Sequence, residues 1–406
     1  MFKNKSFIAK DNFWTKKFYV SASSFFLEDF FPNEDATVIK LLKKRGFICK
    51  KKANLDELSC GDSGLLSKNG IIVNPYKNDH ISGGSSSESS FMVSKKIVDF
   101  SIATDTGGSI RCPSSYCGVI GFKPSYGLIS RYGLLPLASS LDTVGIISSE
   151  LKIIKKIFSI ISKEDYKDLN TLNRENFSLK KNSEKKITII ENLEKYLNKE
   201  LKEKYFCILK ELKKKKYLIK KKRIPKIIKE NIKISYLAIS SSELLSHLNS
   251  LQGITFGIKE KKTIKKKRSN YLGKEVKKRL LIGSFFLEKK NHEIFEKLKK
   301  IRKIIQNWIK KIFENSSYLI FPTMNDSAPK IKEINKSFEE TKFDHWSNDL
   351  ILLANFSGIP SLSLPFGTNT INSLPFGICI NSFYKRDKNL LNFSKKLEKI
   401  IFNLSN

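Results

Sequence analysis

Long apolar runs and paired cysteines are both missing from this chain of 406 residues. The longest apolar stretches, such as Leu350–Leu353, fall far short of the roughly 20 residues that a membrane-spanning helix needs. The first residues, Met1–Lys5, lead into a polar stretch without the apolar segment of a secretory signal. The six cysteines show no CxxC pair and no metal-ligand spacing. The sequence therefore predicts a cytoplasmic protein with no membrane association, no structural disulfide and no bound metal.

Acidic residues and arginine are also scarce. Lysine and arginine total 75 against 40 acidic residues, a net charge of +35, but only nine of the 75 are arginine. Proteins that read nucleic-acid grooves or clamp phosphates usually rely on arginine. Two interpretations stay open: a solvated lysine surface enlarged by the codon bias of an AT-rich genome, or a real attraction to RNA, for which net charge suffices.

The pattern of apolar residues predicts an α/β fold in one large domain. Residues 35–46 are typical of a helix, with Asp35 as its N-cap and Gly46 just beyond its end. Long helical patterns cover 191–216 and 291–313. Short β-branched runs lie at 47–49, 187–190, 318–321, 359–364 and 376–380. Because such runs alternate with helical patterns, we expect a buried sheet covered by helices.

Residues 79–145 differ from the rest of the chain because they are rich in glycine and serine and poor in lysine. Taken alone, Gly83–Ser87 is typical of a flexible linker. The second glycine pair, in Asp105–Ser109, favours a functional site over a linker. Consecutive glycines let several backbone N–H groups converge on one point, which is the geometry that an oxyanion hole needs.

These segments occur in the order of a known family. Lys10 stands in a Lys-Asp-Asn context, a Gly-Gly-Ser-Ser segment places Ser85 75 residues later, and Asp-Thr-Gly-Gly-Ser places Ser109 another 24 residues on. Further matches are Lys52–Glu57 and Gly121–Pro124. In this ordered set the chain resembles the amidase signature family, over essentially its whole length.

The resemblance implies a single domain over 1–406 with a central mixed β-sheet covered by helices, a signature core at 79–145 and a lysine-rich variable region at about 151–270. It also implies a Ser/cis-Ser/Lys triad. Ser109 would be the nucleophile, Ser85 the proton relay after a cis peptide bond, and Lys10 the base. The N–H groups of the residues around the second glycine pair would form the oxyanion hole: Thr106, Gly107, Gly108 and Ser109.

A neutral Lys10 is required for this chemistry, and burial would lower its pKa. None of the four histidines, at positions 80, 247, 292 and 345, lies in a matching motif, so a histidine base is not expected.

Within the family, Ser130–Leu134 and Ala138–Asp142 resemble the ammonia-producing subunits of tRNA-dependent amidotransferases. That resemblance implies hydrolysis of glutamine, with Arg279 binding the substrate carboxylate and Asp349 its α-amino group. Alternatives remain for both, since Arg279 could be a surface helix arginine and Asp349 an acid at a helix N-terminus.

The same resemblance implies two partner subunits, B and C. The B partner would bind the tRNA and use ATP and Mg²⁺ to convert Glu-tRNA(Gln) to Gln-tRNA(Gln). This chain would hold no cofactor.

The chain departs from the family at three places. Ser87 and Glu88 replace two glycines, and a carboxylate there is expected to favour the charged form of Lys10. Leu251 and Gln252 replace an aromatic residue and an aspartate near the substrate pocket. The family also carries a helical segment before its lysine, so a shortened gene or a misplaced start is expected. Two other functions therefore stay open: an independent amidase for small amides, and a non-catalytic scaffold protein of the complex.

Overall fold

The computed structural model describes residues 5–171, 185–251, 269–334 and 346–405. Within these ranges the strands form one mixed ten-stranded sheet, in the order β2-β1-β3-β5-β4-β9-β10-β8-β6-β7. The strands are β1 (Ser6–Lys10), β2 (Ile48–Ala53), β3 (Phe100–Asp105), β4 (Ile120–Lys123), β5 (Thr143–Ser148), β6 (Lys186–Ile190), β7 (Leu218–Lys222), β8 (Tyr318–Pro322), β9 (Ser361–Thr368) and β10 (Pro375–Ser382). Since strands from both ends of the chain are neighbours, the chain forms a single α/β domain.

Both ends of the sheet are parallel and its centre is antiparallel. Strand β1 pairs in parallel with β2 and β3, and β6 pairs in parallel with β7 and β8. The strands between them, from β3 through β5, β4, β9 and β10 to β8, pair antiparallel.

Helices cover both faces of the sheet. They are α1 (Thr37–Lys43), α2 (Ser87–Ser94), α3 (Arg111–Tyr116), α4 (Leu151–Ile161), α5 (Lys199–Lys214), α6 (Lys226–Ser250), α7 (Lys274–Leu287), α8 (His292–Glu314), α9 (Leu352–Ser357) and α10 (Asp387–Ser405). Helices α1, α4, α5 and α10 share one apolar cluster with one sheet face, and α2, α3 and α6–α9 pack on the opposite side.

Alternating side chains explain why both faces are apolar. Along β1, Phe7 and Ala9 join the core under α1 and α4, whereas Ile8 between them joins the core under α2 and α3. All three are fully buried. Burying a side chain as large as Phe7 or Ile8 stabilises the fold by about 1.5–3 kcal/mol. Strand β1 therefore contributes to the cores on both faces of the sheet.

Most predicted elements are confirmed, with shifted ends. The run at 187–190 lies in β6, the run at 318–321 in β8, and the helical patterns at 191–216 and 291–313 become α5 and α8. The N-cap prediction is wrong. Ala36 precedes α1, and the Asp35 carboxylate instead accepts the Lys16 N–H at 2.9 Å and pairs with Lys43 at 2.7 Å.

The lysine runs lie on exposed parts of the fold. Residues 213 and 214 end α5, residues 215 and 216 form the turn after it, and 220–222 belong to β7, an edge strand whose lysines are exposed. Charged side chains on an edge strand discourage pairing with another chain. The run at 259–268 lies outside the described residues. In the described part of the chain, no helix is both long and apolar enough to cross a membrane.

Strand direction determines where the sequence motifs meet. Because β1, β2 and β3 are parallel neighbours, their carboxyl ends lie at the same edge of the sheet. Lys10 ends β1, Asn54 follows β2, and Asp105 ends β3. Ligands of open α/β sheets bind at such an edge, so a functional site is expected there.

Candidate active site

A buried lysine and a buried serine meet at this edge. The Lys10 Nζ lies 2.7 Å from the Ser85 Oγ, and both residues are fully buried. The peptide bond between Gly84 and Ser85 is cis, as the family resemblance implies. Two of the three predicted triad residues are therefore in direct hydrogen-bond contact.

Thr104 orients the lysine amine. Its Oγ1 accepts hydrogen bonds from Lys10 Nζ at 3.1 Å and from Asn12 Nδ2 at 3.1 Å. These two bonds use both acceptor sites of the hydroxyl. When Lys10 is neutral, one of its N–H groups is directed to Thr104, which leaves the nitrogen lone pair for a proton from Ser85. The sequence reasoning missed Thr104, although it is adjacent to the Asp105–Ser109 motif.

Burial lowers the pKa of Lys10 from 10.5 to about 7. The opposing charges of Asp56, Asp142 and Asp105 raise it, but they do not offset the loss of hydration. A general base is most effective when its pKa is near the working pH, so this amine is suited to proton transfer at neutral pH.

Two other lysines, the largely buried Lys52 and the fully buried Lys123, also have lowered pKa values, about 8 and about 7, and both shifts are caused first by loss of hydration. Their partners differ from those of Lys10. Lys52 donates to the Phe13 carbonyl, and Lys123 donates to the Pro124 carbonyl at 3.0 Å. Lys10 is thus distinguished by its serine partner rather than by its pKa.

Ser109 lies in the loop that follows β3 and is 8% exposed. Its carbonyl accepts the Ser86 N–H at 3.3 Å, which joins this loop directly to the residue after Ser85. Ser85 and Ser109 therefore lie on two loops that are hydrogen-bonded to each other, and Lys10 contacts Ser85 on the first of them.

A buried ion pair stabilises the loop that carries Ser109. Arg111 Nη2 lies 2.9 Å from Asp105 Oδ1, both residues are fully buried, and Asn355 donates to the same carboxylate oxygen at 2.8 Å. Burial would raise the pKa of Asp105, but Arg111 and Asn355 outweigh it and hold that pKa well below its usual range. Losing one partner of such a pair costs about 3–5 kcal/mol.

Two side chains pack directly on the Gly107–Gly108 turn, and a side chain on either glycine would have to displace one of them. A Cβ on Gly107 would lie 2.5 Å from Tyr236 Cζ, and one on Gly108 would lie 2.1 Å from Ile351 Cδ1. Gly108 also has φ +111°, which disfavours any other residue. The prediction that the Gly108 N–H serves the oxyanion hole needs correction, because that N–H donates to Asp105 Oδ1 at 2.9 Å. The predicted donors are then Thr106, Gly107 and Ser109.

Asp142 holds the first residue of this turn. Thr106 Oγ1 donates to Asp142 Oδ1 at 2.6 Å, and Asp142 Oδ2 accepts the N–H groups of Leu137 and Ala138 at 3.0 and 3.1 Å. Burial raises the pKa of Asp142 to about 6. The Ala138–Asp142 motif thus supports the loop that carries Ser109, a role that its position in the sequence did not show.

Arg279 approaches the same loop through Tyr236. Its guanidinium lies over the Tyr236 ring at 5.9 Å, and that ring contacts Gly107. The Arg279 side chain is 11% exposed and forms an ion pair with Glu275 at 3.1 Å, so the alternative of a surface arginine does not hold. No motif surrounds Tyr236 in the sequence, which is why it was missed.

Asp349 lies in the first turn of a short 3₁₀ helix, Asn348–Ile351. Two residues later, Ile351 contacts Gly108, and the Ile351 carbonyl accepts Arg111 Nη1 at 2.7 Å. The turn that carries Asp349 therefore packs against the loop that carries Ser109. This position agrees with either predicted role for Asp349, substrate binding or an acid at a helix N-terminus.

The contacts of Glu88 do not support its expected effect on Lys10. Its carboxylate pairs with Lys51 and accepts the Asn54 N–H. The ionisable groups with the largest effects on the pKa of Lys10 are Asp56, Asp142, Asp105 and Cys60, and Glu88 is not among them. Glu88 lies in the first turn of α2, and its carboxylate is held by Lys51 of β2 and by the Asn54 N–H, so its charge is paired with Lys51 rather than with Lys10. Of the other departures, Gln252 lies outside the described residues.

One histidine does contact a serine. His247 Nε2 lies 3.2 Å from Ser139 Oγ, and its Nδ1 faces the Leu137 carbonyl at 3.3 Å. A carbonyl cannot act as the acidic third member of a triad. This pair therefore anchors the 137–142 turn. His345 is outside the described residues.

Comparisons with known proteins agree with this geometry. The sequence profile of the amidase family matches residues 6–391. The chain is 34% identical to the A subunit of the Mycoplasma genitalium glutamyl-tRNA(Gln) amidotransferase, over 98% of this chain and 87% of that protein. The protein of the same name from Sulfurisphaera tokodaii is also 34% identical, over 97% of this chain and 84% of the relative.

A crystal structure of the A subunit of glutamyl-tRNA(Gln) amidotransferase from Thermotoga maritima has a TM-score of 0.77 at 30% identity, and the match covers 96% of this chain and 83% of that one. The fold and the site therefore define an amidase-type enzyme, and the chain belongs to the amidase family. Its relatives that are named as glutamyl-tRNA(Gln) amidotransferase A subunits come from bacteria, archaea and mitochondria.

Proposed function

We propose that this chain is the glutaminase component of a glutamyl-tRNA(Gln) amidotransferase, and that Lys10, Ser85 and Ser109 are its triad. The observation that carries the proposal is the Lys10–Ser85 contact of 2.7 Å in a fully buried position, next to the glycine turn of Ser109. The similarity to amidotransferase A subunits over nearly the whole chain supports the substrate.

The reaction begins with the transfer of a proton from Ser109 Oγ through Ser85 Oγ to neutral Lys10. Ser109 Oγ attacks the side-chain amide carbon of glutamine, and the carbonyl electrons move to oxygen. The N–H groups of Thr106, Gly107 and Ser109 stabilise this oxyanion, and losing one such donor costs about 3–4 kcal/mol in comparable sites.

The C–N bond then breaks, and the nitrogen takes the proton back as ammonia leaves. Water attacks the acyl-enzyme by the same proton route, which releases glutamate and regenerates Ser109.

Arg279 and Asp349 are proposed to bind the two ends of glutamine. Glutamine presents a carboxylate and an ammonium group, for which an arginine and a carboxylate are matching partners. The guanidinium lies over Tyr236, which contacts Gly107, so a substrate held by Arg279 lies close to the oxyanion loop.

Ammonia would pass to the B partner of a cytoplasmic heterotrimer in which this chain is joined by subunits B and C. There, ATP and Mg²⁺ held by the B partner would support amidation of the glutamate on the tRNA. This chain itself would need no cofactor, and it would contact tRNA mainly through the B partner.

The experiment is co-expression of the chain with subunits B and C from the same genome, followed by a glutaminase assay with and without Glu-tRNA(Gln). Ammonia release that depends on the partners and rises with the charged tRNA supports the proposal. Rapid hydrolysis of small amides by the chain alone favours an independent amidase, and no hydrolysis in either form favours a scaffold.

Changing Arg279 to alanine is expected to raise KM for glutamine at least about tenfold, because losing a charged contact to the substrate costs about 1.4 kcal/mol or more. The kinetics of a neutral amide such as propionamide should change less than about twofold, because that substrate has no carboxylate. Steady-state kinetics on both substrates provide the test. An equal loss of activity on glutamine and on propionamide would show that Arg279 has a structural role.

The pH dependence should follow Lys10. The neutral amine is the base, and its pKa is about 7, so kcat/KM should rise with pH and level off above about 8. Below about pH 7 it should fall about tenfold per unit, as the protonated fraction takes over. A pH profile measured with glutamine tests this. A flat profile between about pH 5.5 and 8 would contradict the base assignment.

A further inference from the structure

The Lys52–Glu57 motif ends in two adjacent acidic residues for which the mechanism has no role. Asp56 and Glu57 follow β2, at the edge of the sheet where Lys10 ends β1. Asp56 is fully buried and Glu57 is 8% exposed. Acidic side chains are almost never buried unless they are paired or hydrogen-bonded, so their contacts indicate what they do.

The Asp56 carboxylate packs closely against the backbone at Gly84, which precedes Ser85 across the cis peptide bond. A Cβ on Gly84 would lie 1.9 Å from Asp56 Oδ2, and one on Gly61 would lie 2.6 Å from Asp56 Cγ, so both positions accept only glycine beside this carboxylate. Asp56 Oδ1 accepts the N–H groups of Gly64 and Leu66, each at 3.0 Å. These bonds hold the carboxylate in place against Gly84, the residue before Ser85.

Glu57 reaches in the other direction, to the helix that carries Arg279. Its Oε2 accepts the Gly273 N–H at 2.8 Å, and Gly273 is the N-cap of α7. A Cβ on Gly273 would lie 2.3 Å from that oxygen, which shows how closely the two approach. Glu57 Oε1 accepts the Ser24 hydroxyl at 2.5 Å, so the carboxylate is fixed at both oxygens.

We propose that Asp56 and Glu57 are positioning residues that act on separate halves of the site: Asp56 on the Lys10–Ser85 relay, and Glu57, through α7, on Arg279. This inference rests on the proposed function, because the two halves are the proposed catalytic and substrate-binding groups. Two neighbouring acids thereby link the relay to the substrate helix, although Ser85 and Arg279 lie far apart in the sequence.

Asp56 also acts on the relay through its charge. Burial raises the pKa of Asp56 to about 6, so it is ionised over most of the range in which Lys10 titrates. Among the groups that face Lys10, its charge has the largest effect in raising the lysine pKa, ahead of Asp142, Asp105 and Cys60. The titratable groups that interact with Asp56 include Lys10, Asp62 and Cys60. Removing this charge alone should therefore lower the pKa of Lys10.

Asp56→Asn is the informative variant for the first half. Asparagine can keep its oxygen on Gly64 and Leu66 while it removes the charge. In the complex with the partner subunits, we expect the acid limb of kcat/KM for glutamine to move to lower pH by about half a unit or more. KM should stay within about twofold. Partial unfolding would lower kcat at every pH without moving the limb.

Glu57→Ala is the variant for the second half. It removes the acceptor of the Gly273 N–H, so the start of α7 is released and Arg279 is held less accurately. We expect KM for glutamine to rise about tenfold, with kcat within about threefold and the acid limb unmoved. Glu57→Gln, which keeps one acceptor oxygen, should recover most of the KM. Glu28→Ala is the matched control, since Glu28 is a nearby acid that is 44% exposed and pairs with Lys68.

The inference is overturned if Asp56→Asn leaves the acid limb in place, or if Glu57→Ala lowers kcat without raising KM. Its failure is distinct from failure of the proposed function. If the wild-type complex releases ammonia from glutamine but Asp56→Asn does not shift the acid limb, or Glu57→Ala does not raise KM, only the positioning roles are contradicted. Wild-type complex that releases no ammonia contradicts the proposed function itself.

Discussion

Replacing Ser109 with alanine is expected to lower kcat for glutamine hydrolysis by at least about 10³-fold, because the variant has no oxygen to form the acyl-enzyme. Residual turnover would come only from the oxyanion donors and from substrate binding. KM should change little, since the alanine leaves the position of Arg279 unaltered. Ammonia release by the complex with the partner subunits is the measurement.

A matched control is available for this variant. Ser159 is an exposed serine on α4, far along the chain from the site, and its hydroxyl donates to the Lys156 carbonyl. Ser159→Ala should keep wild-type kcat. The thermal unfolding midpoint of Ser109→Ala should also stay close to wild type, because the change removes only one small polar atom. Activity above about a tenth of wild type would remove Ser109 from the nucleophile role.

Replacing Lys10 with methionine is expected to lower kcat by about 10²–10⁴-fold, the range that removal of a general base produces. Methionine fills most of the lysine volume, so the change removes the amine without opening a large cavity. The remaining activity should lose the acid limb near pH 7, because the titrating group is absent. Glutaminase activity measured from about pH 6 to 9 tests both points.

Lys123→Met separates this effect from general disturbance of the core. Lys123 is also fully buried with a pKa of about 7, but it contacts the Pro124 carbonyl rather than a serine. We expect this variant to change stability and to keep the acid limb of the pH profile. Loss of the limb in Lys123→Met, or its survival in Lys10→Met, would show that Lys10 is not the base.

The sequence was sufficient to select the candidate triad residues, because each stands in a short motif and the three motifs occur in a fixed order. It was also sufficient for the strands and helices with long apolar patterns, such as β6 and α8. It failed where the outcome depended on a distant neighbour. The Glu88 side chain pairs with Lys51 of β2, which is 37 residues away in the sequence. The Gly108 N–H donates to the Asp105 carboxylate, whose orientation is set by its ion pair with Arg111.

Residues without a motif of their own could not be found from the sequence. Tyr236 lies within a long helix and reaches the site only because α6 packs beside the glycine turn. Thr104 is one of many buried strand residues, and its contact with Lys10 follows from the parallel pairing of β1 and β3. The local pattern around Asp35 predicted a helix cap, but its contacts with Lys43 and the Lys16 N–H compete with that role.

The most direct test of the central claim is to trap the covalent intermediate. The complex with the partner subunits is mixed with glutamine, quenched in acid within milliseconds, digested and analysed by mass spectrometry. The account predicts a glutamyl ester on the peptide that contains Ser109, absent in Ser109→Ala and absent when glutamate replaces glutamine. A glutamyl adduct on another residue, or rapid ammonia release from Ser109→Ala without any adduct, would contradict it.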